Sequence, residues 1–230
     1  MWTVSILEFR MSVRAVTFQG SRDALRVGKI LCLGRNYREH AREMKADVPK
    51  VPVVFLKPAT AIITSDEDII IPPISGEMHY ETEMVVVIGE DGKNIPASRA
   101  MHHVAGYGVG LDMTLRDVQA EAKAKGLPWT VAKGFDTSAP VSEIVPRERV
   151  GDPGDLSLTL RVNGEIRQQG RTRDMIFSVD QIIAYLSTIF TLERGDLIFT
   201  GTPEGVGAAR PGDLLAAELD SFARLSVHVR

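Results

Sequence analysis

Sulfur chemistry is almost absent from this sequence. Cys32 is the only cysteine, so an intrachain disulfide and a thiolate-built zinc cluster are excluded, and a lone thiol suits a reducing compartment. A strong excess of one charge sign is missing too. A formal net charge of −3, a pI near 6.0 and no dense basic stretch argue against a nucleic-acid partner. No apolar run approaches the ~18 residues of a membrane-spanning helix, so no membrane partner is expected. The opening MWTVSILEFRMSVRAVTF lacks the charged start, apolar core and small-residue cleavage site of a secretory signal. Arg10, Arg14 and Arg22 keep a transit peptide open. The alternating apolar residues favour a strand or pairing arm, with the cytoplasm as the default location.

What is present reads as an ordinary globular chain of 230 residues, 44% apolar and 25% charged, long enough for one large domain. Proline and glycine divide it at PKVP, IPPISG, GDPG and GTPEGVG. Between them lie strand-like runs such as VVFLKP, MVVVIG, LSLTLRV, DLIFTG and DLLAAEL. The C-terminal RLSVHVR alternates cleanly, with Leu225, Val227 and Val229 on one face. Asn163–Gly164 predicts a type I′ hairpin. Three segments open with a capping pattern and predict helices. Asn36 with Glu39 starts a short one through Met44, and Thr114 with Asp117 starts one that stops at Gly126 and Pro128. Ser178 with Gln181 starts an apolar one. The expected class is therefore α+β, mainly β with short helices, without the alternation of a doubly wound fold.

The stretch HYETEM sets Glu81 and Glu83 two residues apart before a very apolar run. On a strand, positions i and i+2 share a face, so two carboxylates converge where burial is expected. Asp112 ends another apolar run, GYGVGLDM. Three carboxylates beside apolar strands, without cysteine or a histidine trio, suit a hard cation with oxygen ligands. Mg²⁺ comes first, then Mn²⁺ and Ca²⁺. The same spacing also fits an exposed strand face, and Asp112 a helix cap. His79 reads as surface or core, and His102 and His103 receive no role.

His40 and Glu43 lie three apart on the first predicted helix and so are neighbours on one face, as a dyad or as an ordinary exposed ion pair. Lys133, in VAKGF, has apolar neighbours that argue against full exposure. GTPEGVG lacks the Gly-Lys-Ser/Thr of a phosphate loop, and GYGVG misses the dinucleotide pattern, which removes nucleotide binding.

Seven blocks in order resemble the fumarylacetoacetate hydrolase family: GRNYREHAREM, FLKP, HYETEMVVVIG, GYGVGLDMTLRDVQ, GLPWTVAKGFDTSAPVS, VNGEIRQQGRTRDMIFS and GDLIFTGTPEGVG. They resemble most its small members acting on acylpyruvates and oxaloacetate. The resemblance implies a mixed β-sandwich roll and a homodimer. It implies a catalytic domain over 28–230, with residues 1–27 as a short arm where longer members carry a further domain. It also implies Mg²⁺ or Mn²⁺ held by Glu81, Glu83 and Asp112. His40 with Glu43 would activate a water, and Lys133 would face enolate or carboxylate charge. Gln119 and Thr202 would contact the substrate, and Arg35 and Tyr37 would hold its carboxylate or the mobile helix. The helix through Met44 would serve as a lid.

Metal-dependent hydrolysis of acylpyruvates, or of fumarylpyruvate-like diketo acids, to pyruvate and a carboxylic acid is the leading expectation. Oxaloacetate decarboxylation competes, since it makes the same enolate without an attacking water. Isomerisation or decarboxylation of a muconate-type acid is a third reading. A non-catalytic metal-binding subunit is the reading from another class, disfavoured because all the expected residues are present.

Overall fold

The computed structural model describes residues 14–230 apart from 23 and 66. The most apolar runs build its centre, a six-stranded mixed sheet. Its order is Val145–Pro146, Val104–Leu111, Thr82–Ile88, Leu197–Phe199, Ile30–Gly34 and Val53–Lys57. Only Leu197–Phe199 with Ile30–Gly34 is parallel. Thr82–Ile88 is buried at every residue, as expected of a strand covered on both faces. Met84, Val86 and Ile88 enter one core cluster, and Val85 and Val87 the other. Glu83 shares the parity of Val85 and Val87, so its carboxylate enters the protein between apolar layers.

The first of those clusters joins this sheet to a four-stranded antiparallel one, ordered Glu165–Arg171, Ser157–Val162, Leu214–Leu219, Ala223–His228. Asn163 and Gly164 turn the expected hairpin, with φ of 53° and 88° and Val162 opposite Glu165. Leu225, Val227 and Val229 are buried as their alternation requires. A three-stranded sheet sets Met78–Tyr80 between Gly207–Ala209 and Thr114–Leu115. The architecture is the expected mainly-β α+β fold. Of the proposed arm 1–27, residues 1–13 lie outside the described residues. Ala15–Thr17 and Ala24–Arg26 pair antiparallel.

Two of the three expected helices differ at their starts. The apolar helix Val179–Ile189 carries the predicted capping box, with Gln181 Oε1 accepting the Ser178 amide at 3.1 Å. The first helix, however, is Arg38–Glu43, and Tyr37 precedes it without a side-chain cap. Asn36 is used elsewhere: its amide donates to the Phe177 and Thr200 carbonyls and accepts the Phe177 N–H. Thr114 likewise does not cap. It belongs to a two-residue strand, and the helix runs Arg116–Lys125, ending on left-handed Gly126. One-turn helices at Ala97–Ala100, Thr130–Lys133 and Arg147–Val150 had no periodic signal to announce them. Among the described residues no helix is long and apolar enough to cross a membrane.

Candidate active site

Strand register brings the three acids together. Glu81 occupies the break between Met78–Tyr80 and Thr82–Ile88, and Asp112 follows directly on Val104–Leu111. Thr82 pairs with Leu111, and the Asp112 amide donates to the Glu81 carbonyl at 2.8 Å. Glu81, Glu83 and Asp112 are all buried, each with a carboxylate oxygen within 4.8 Å of the others.

Two lysines meet this cluster. Lys133 Nζ lies 2.6 Å from Asp112 Oδ2 and 2.8 Å from Glu81 Oε2. Lys57 Nζ lies 2.8 Å from Asp112 Oδ1, an ion pair off the direction of a hydrogen bond, so Oδ1 has no hydrogen-bond partner among the described residues. Arg116 adds a bond to Glu81 Oε1 at 2.6 Å. Burial alone would raise the Glu81 carboxyl, but Lys133 and Arg116 outweigh it and hold it well below the ordinary range. Burial would lower Lys133, yet Asp112 and Glu81 raise it to about 12. Glu83 differs. Burial, then the Asp112 and Glu81 charges, push it well above the ordinary range, against the Gly201 amide and Lys133. A buried carboxylate under like-charge stress and an Asp112 oxygen without a hydrogen bond fit a hard divalent cation.

His40 is buried, and its Nδ1 lies 3.2 Å from Glu43 Oε2. The carboxylate assigns the Nδ1 proton and leaves Nε2 as the acceptor. Glu43 Oε1 accepts the Gly205 amide at 3.0 Å, so the helix carrying the pair is held to the glycine-rich loop. The exposed-ion-pair reading therefore fails for His40.

A cavity of about 340 Å³ brings Glu81, His40, Lys133, Gln119 and Arg35 onto one surface. Arg116 Nη1 donates to Gln119 Oε1 at 2.8 Å, fixing that amide. Arg35 adopts a left-handed backbone, φ 58°, a conformation a non-glycine residue holds under strain and often at functional sites. Neither its guanidinium nor the Lys123 ammonium, which stands over the Trp129 ring, makes a hydrogen bond or ion pair to a described residue. Partial burial, then the Arg116 charge, lowers Lys123. Tyr37 and Thr202 do not line this cavity. Tyr37 is buried with no partner for its hydroxyl among the described residues, and Thr202 Oγ1 accepts from Gln168 at 2.8 Å. A larger space of about 740 Å³ runs along the edge strand Val53–Lys57 and contains neither the acids nor His40.

Sequence reasoning overlooked Lys57, Arg116 and Lys123. A lysine closing the apolar run VVFLKP was a usable sign for Lys57. Arg116 stands three residues before Gln119, hence on the same helical face. Lys123 carried no local signal.

The β roll and its acidic centre define a class of small-molecule enzymes. Residues 29–230 match the family described as fumarylacetoacetate (FAA) hydrolase, C-terminal, and the chain belongs to that family. Oxaloacetate tautomerase FAHD1, mitochondrial, of Rattus norvegicus is 50% identical over 200 residues, covering 87% of this chain and 90% of its own. A fumarylpyruvate hydrolase from Pseudomonas aeruginosa, solved with Mn²⁺ and pyruvate, superposes with a TM-score of 0.90 at 42% identity, covering 94% of each chain. A 2-hydroxyhepta-2,4-diene-1,7-dioate isomerase from Mycobacterium marinum gives 0.79 at 37% identity, over 89% of this chain and 75% of its own.

Proposed function

We propose that the protein cleaves the carbon–carbon bond beside a 2-oxo acid by divalent-metal-dependent hydrolysis, releasing pyruvate and a carboxylic acid. The observation carrying this reading is that Glu81, of the three-carboxylate cluster, and the buried His40, oriented by Glu43, line one cavity. A fumarylpyruvate-like diketo acid with a second carboxylate suits the unpaired Arg35 and Lys123 better than a simple acylpyruvate does. The pyruvate and Mn²⁺ in the P. aeruginosa relative support the same class.

Glu81, Glu83 and Asp112 would hold Mg²⁺ or Mn²⁺, which supplies Lewis acidity to a 2-oxo group and to enolate charge. Glu43 holds His40 so that Nε2 accepts a proton from water. The water oxygen bonds to the distal carbonyl carbon. The bond from that carbon to the pyruvate methylene then breaks, and its electron pair passes into the enolate. Lys133 faces this charge, and the imidazolium returns its proton to the methylene carbon. Gln119 would hold a substrate oxygen and Arg35 a carboxylate, while Thr202, off the cavity and bonded to Gln168, would hold the glycine-rich loop rather than touch substrate. Tyr37, buried in the core directly before the helix, would hold the start of that helix rather than touch substrate. A homodimer, a catalytic unit over residues 28–230 and a cytoplasmic location belong to the same proposal.

A second reading takes oxaloacetate as substrate: the R. norvegicus oxaloacetate tautomerase favours its tautomerisation, and decarboxylation would pass through the same enolate. It needs the metal and Lys133 but no attacking water. Product analysis by NMR separates the two, using fumarylpyruvate, acetylpyruvate and oxaloacetate with Mg²⁺ or Mn²⁺ and a chelator control. Metal-dependent release of pyruvate with fumarate or acetate supports hydrolysis. Turnover of oxaloacetate alone overturns it in favour of the second reading.

A further inference from the structure

Gln168, in the strand Glu165–Arg171, is buried and lies outside every role assigned so far. Its side-chain amide is fully used. Oε1 accepts the Thr82 amide at 2.9 Å, and Nε2 donates to Thr202 Oγ1 at 2.8 Å and to the Pro203 carbonyl at 2.9 Å. These partners fix the amide's orientation, because the flipped form would set N–H against N–H and oxygen against oxygen.

The partners matter more than their number. Thr82 is the residue between Glu81 and Glu83. Thr202 and Pro203 form the middle of a loop whose two ends hold the two halves of the site. At one end the Gly201 amide donates to Glu83 Oε2 at 2.7 Å. At the other the Gly205 amide donates to Glu43 Oε1 at 3.0 Å. Both end glycines have positive φ, 96° and 93°, and leave no room for a Cβ, against Asn36 and the Arg167 carbonyl respectively. Both ends of the loop are thus packed closely on their neighbours, and Gln168 is the side chain that pins its middle to the strand of the acids. Because Thr202 Oγ1 accepts from Gln168, its hydroxyl proton stays available to donate elsewhere.

We propose that Gln168 is a positioning residue that locks the Gly201–Gly205 loop and so sets the acid cluster and the His40–Glu43 pair in mutual register. It touches neither substrate nor metal. This rests on the functional reading above, and its test separates the two.

Gln168→Met keeps length and volume and removes every polar contact of the side chain, including a long one to the Glu204 carbonyl at 3.5 Å. Gln168→Glu keeps an acceptor for the Thr82 amide and loses the donors, and serves if the first variant does not fold. Amide hydrogen exchange over 201–205 is expected to speed up about tenfold or more, while the helix Val179–Ile189 keeps its wild-type rate. Mn²⁺ titrated calorimetrically into chelator-stripped protein is expected to bind about tenfold more weakly, a shift typical of lost outer-shell support. With fumarylpyruvate, kcat is expected to fall more than KM rises. Unchanged exchange over 201–205 would overturn the proposal. So would a uniform rise over the whole chain with unchanged Mn²⁺ affinity, since that describes a purely structural residue. A wild-type protein inactive on every 2-oxo acid would overturn the functional reading, while exchange and Mn²⁺ affinity would still decide the role of Gln168.

Discussion

Lys133 Nζ stands 2.6 Å from Asp112 Oδ2, deep in the protein, with Glu81 as its second partner. The ammonium occupies two of the three carboxylates proposed to hold the metal, and therefore competes with it. Lys133→Met should tighten Mn²⁺ binding about tenfold, or about 1.4 kcal/mol, because a like charge leaves the site. The same change should cost about 10²–10³ in kcat by removing the cation that faces the enolate. Calorimetry and steady-state kinetics on one preparation check both. Weakened metal binding would mean that Lys133 chiefly holds the carboxylates in place.

Glu83 makes the metal-free site a source of instability. Its carboxyl is held well above the ordinary value of 4.5 by burial and its acidic neighbours. Between those two values the folded protein binds more protons than the unfolded chain, so the chelated protein should lose stability as pH rises through that window. Glu81 acts in the opposite sense and below it: its depressed carboxyl contributes stability that is lost as pH falls under 4.5. Glu83→Gln should flatten the upper window and stabilise the chelated protein at pH 7 by about 1–2 kcal/mol, while removing Mn²⁺ binding. Denaturant melts across pH with and without Mn²⁺ measure this. A destabilised chelated variant would contradict the like-charge argument.

The pair His40–Glu43 separates the two chemistries. His40→Ala should cost about 10²–10⁴ in hydrolysis of fumarylpyruvate, the usual worth of a general base, and much less in oxaloacetate decarboxylation, which needs no water. Equal losses in the two assays would reduce the pair to a substrate-positioning role.

Lys123 lines the cavity with its ammonium over the Trp129 ring and makes no hydrogen bond or ion pair to a described residue. If it binds a distal carboxylate, Lys123→Met should raise KM about tenfold or more for fumarylpyruvate, as losing one charged hydrogen bond would. KM for acetylpyruvate, with no second carboxylate, should stay within about twofold. Equal effects on the two substrates would place Lys123 away from the distal group.

These contacts also show where sequence reading reaches and stops. Signals carried by adjacent residues came through: the Asn163–Gly164 turn, the Ser178–Gln181 box, the alternation ending at Val229. The acids were legible because Glu81 and Glu83 are two apart and Asp112 closes its own apolar run. Asn36 and Thr114 misled, since a capping pattern states only what a side chain can bond nearby. Asn36 instead bonds Thr200, 164 positions away. Lys57 and Arg116 were missed for the same reason, their meaning lying in distant partners that the sheet register supplies.

Gly205 tests whether the loop reaches the dyad independently of the metal. Its φ is 93°, and a Cβ there would run into the Arg167 carbonyl, a backbone atom that cannot swing aside. Gly205→Ala must shift the amide that holds Glu43, at a stability cost of about 1–3 kcal/mol. Glu43 would then lose its second anchor and His40 its fixed orientation. Hydrolysis should fall by about 10²-fold, the scale of a misplaced catalytic group. Gln168 still pins Thr202 and Pro203, so the Gly201 end keeps Glu83 in place, and Mn²⁺ affinity should stay within about twofold. Loss of Mn²⁺ binding alongside hydrolysis would show that the loop moves as one body, with the Gln168 clamp too weak to isolate its two ends.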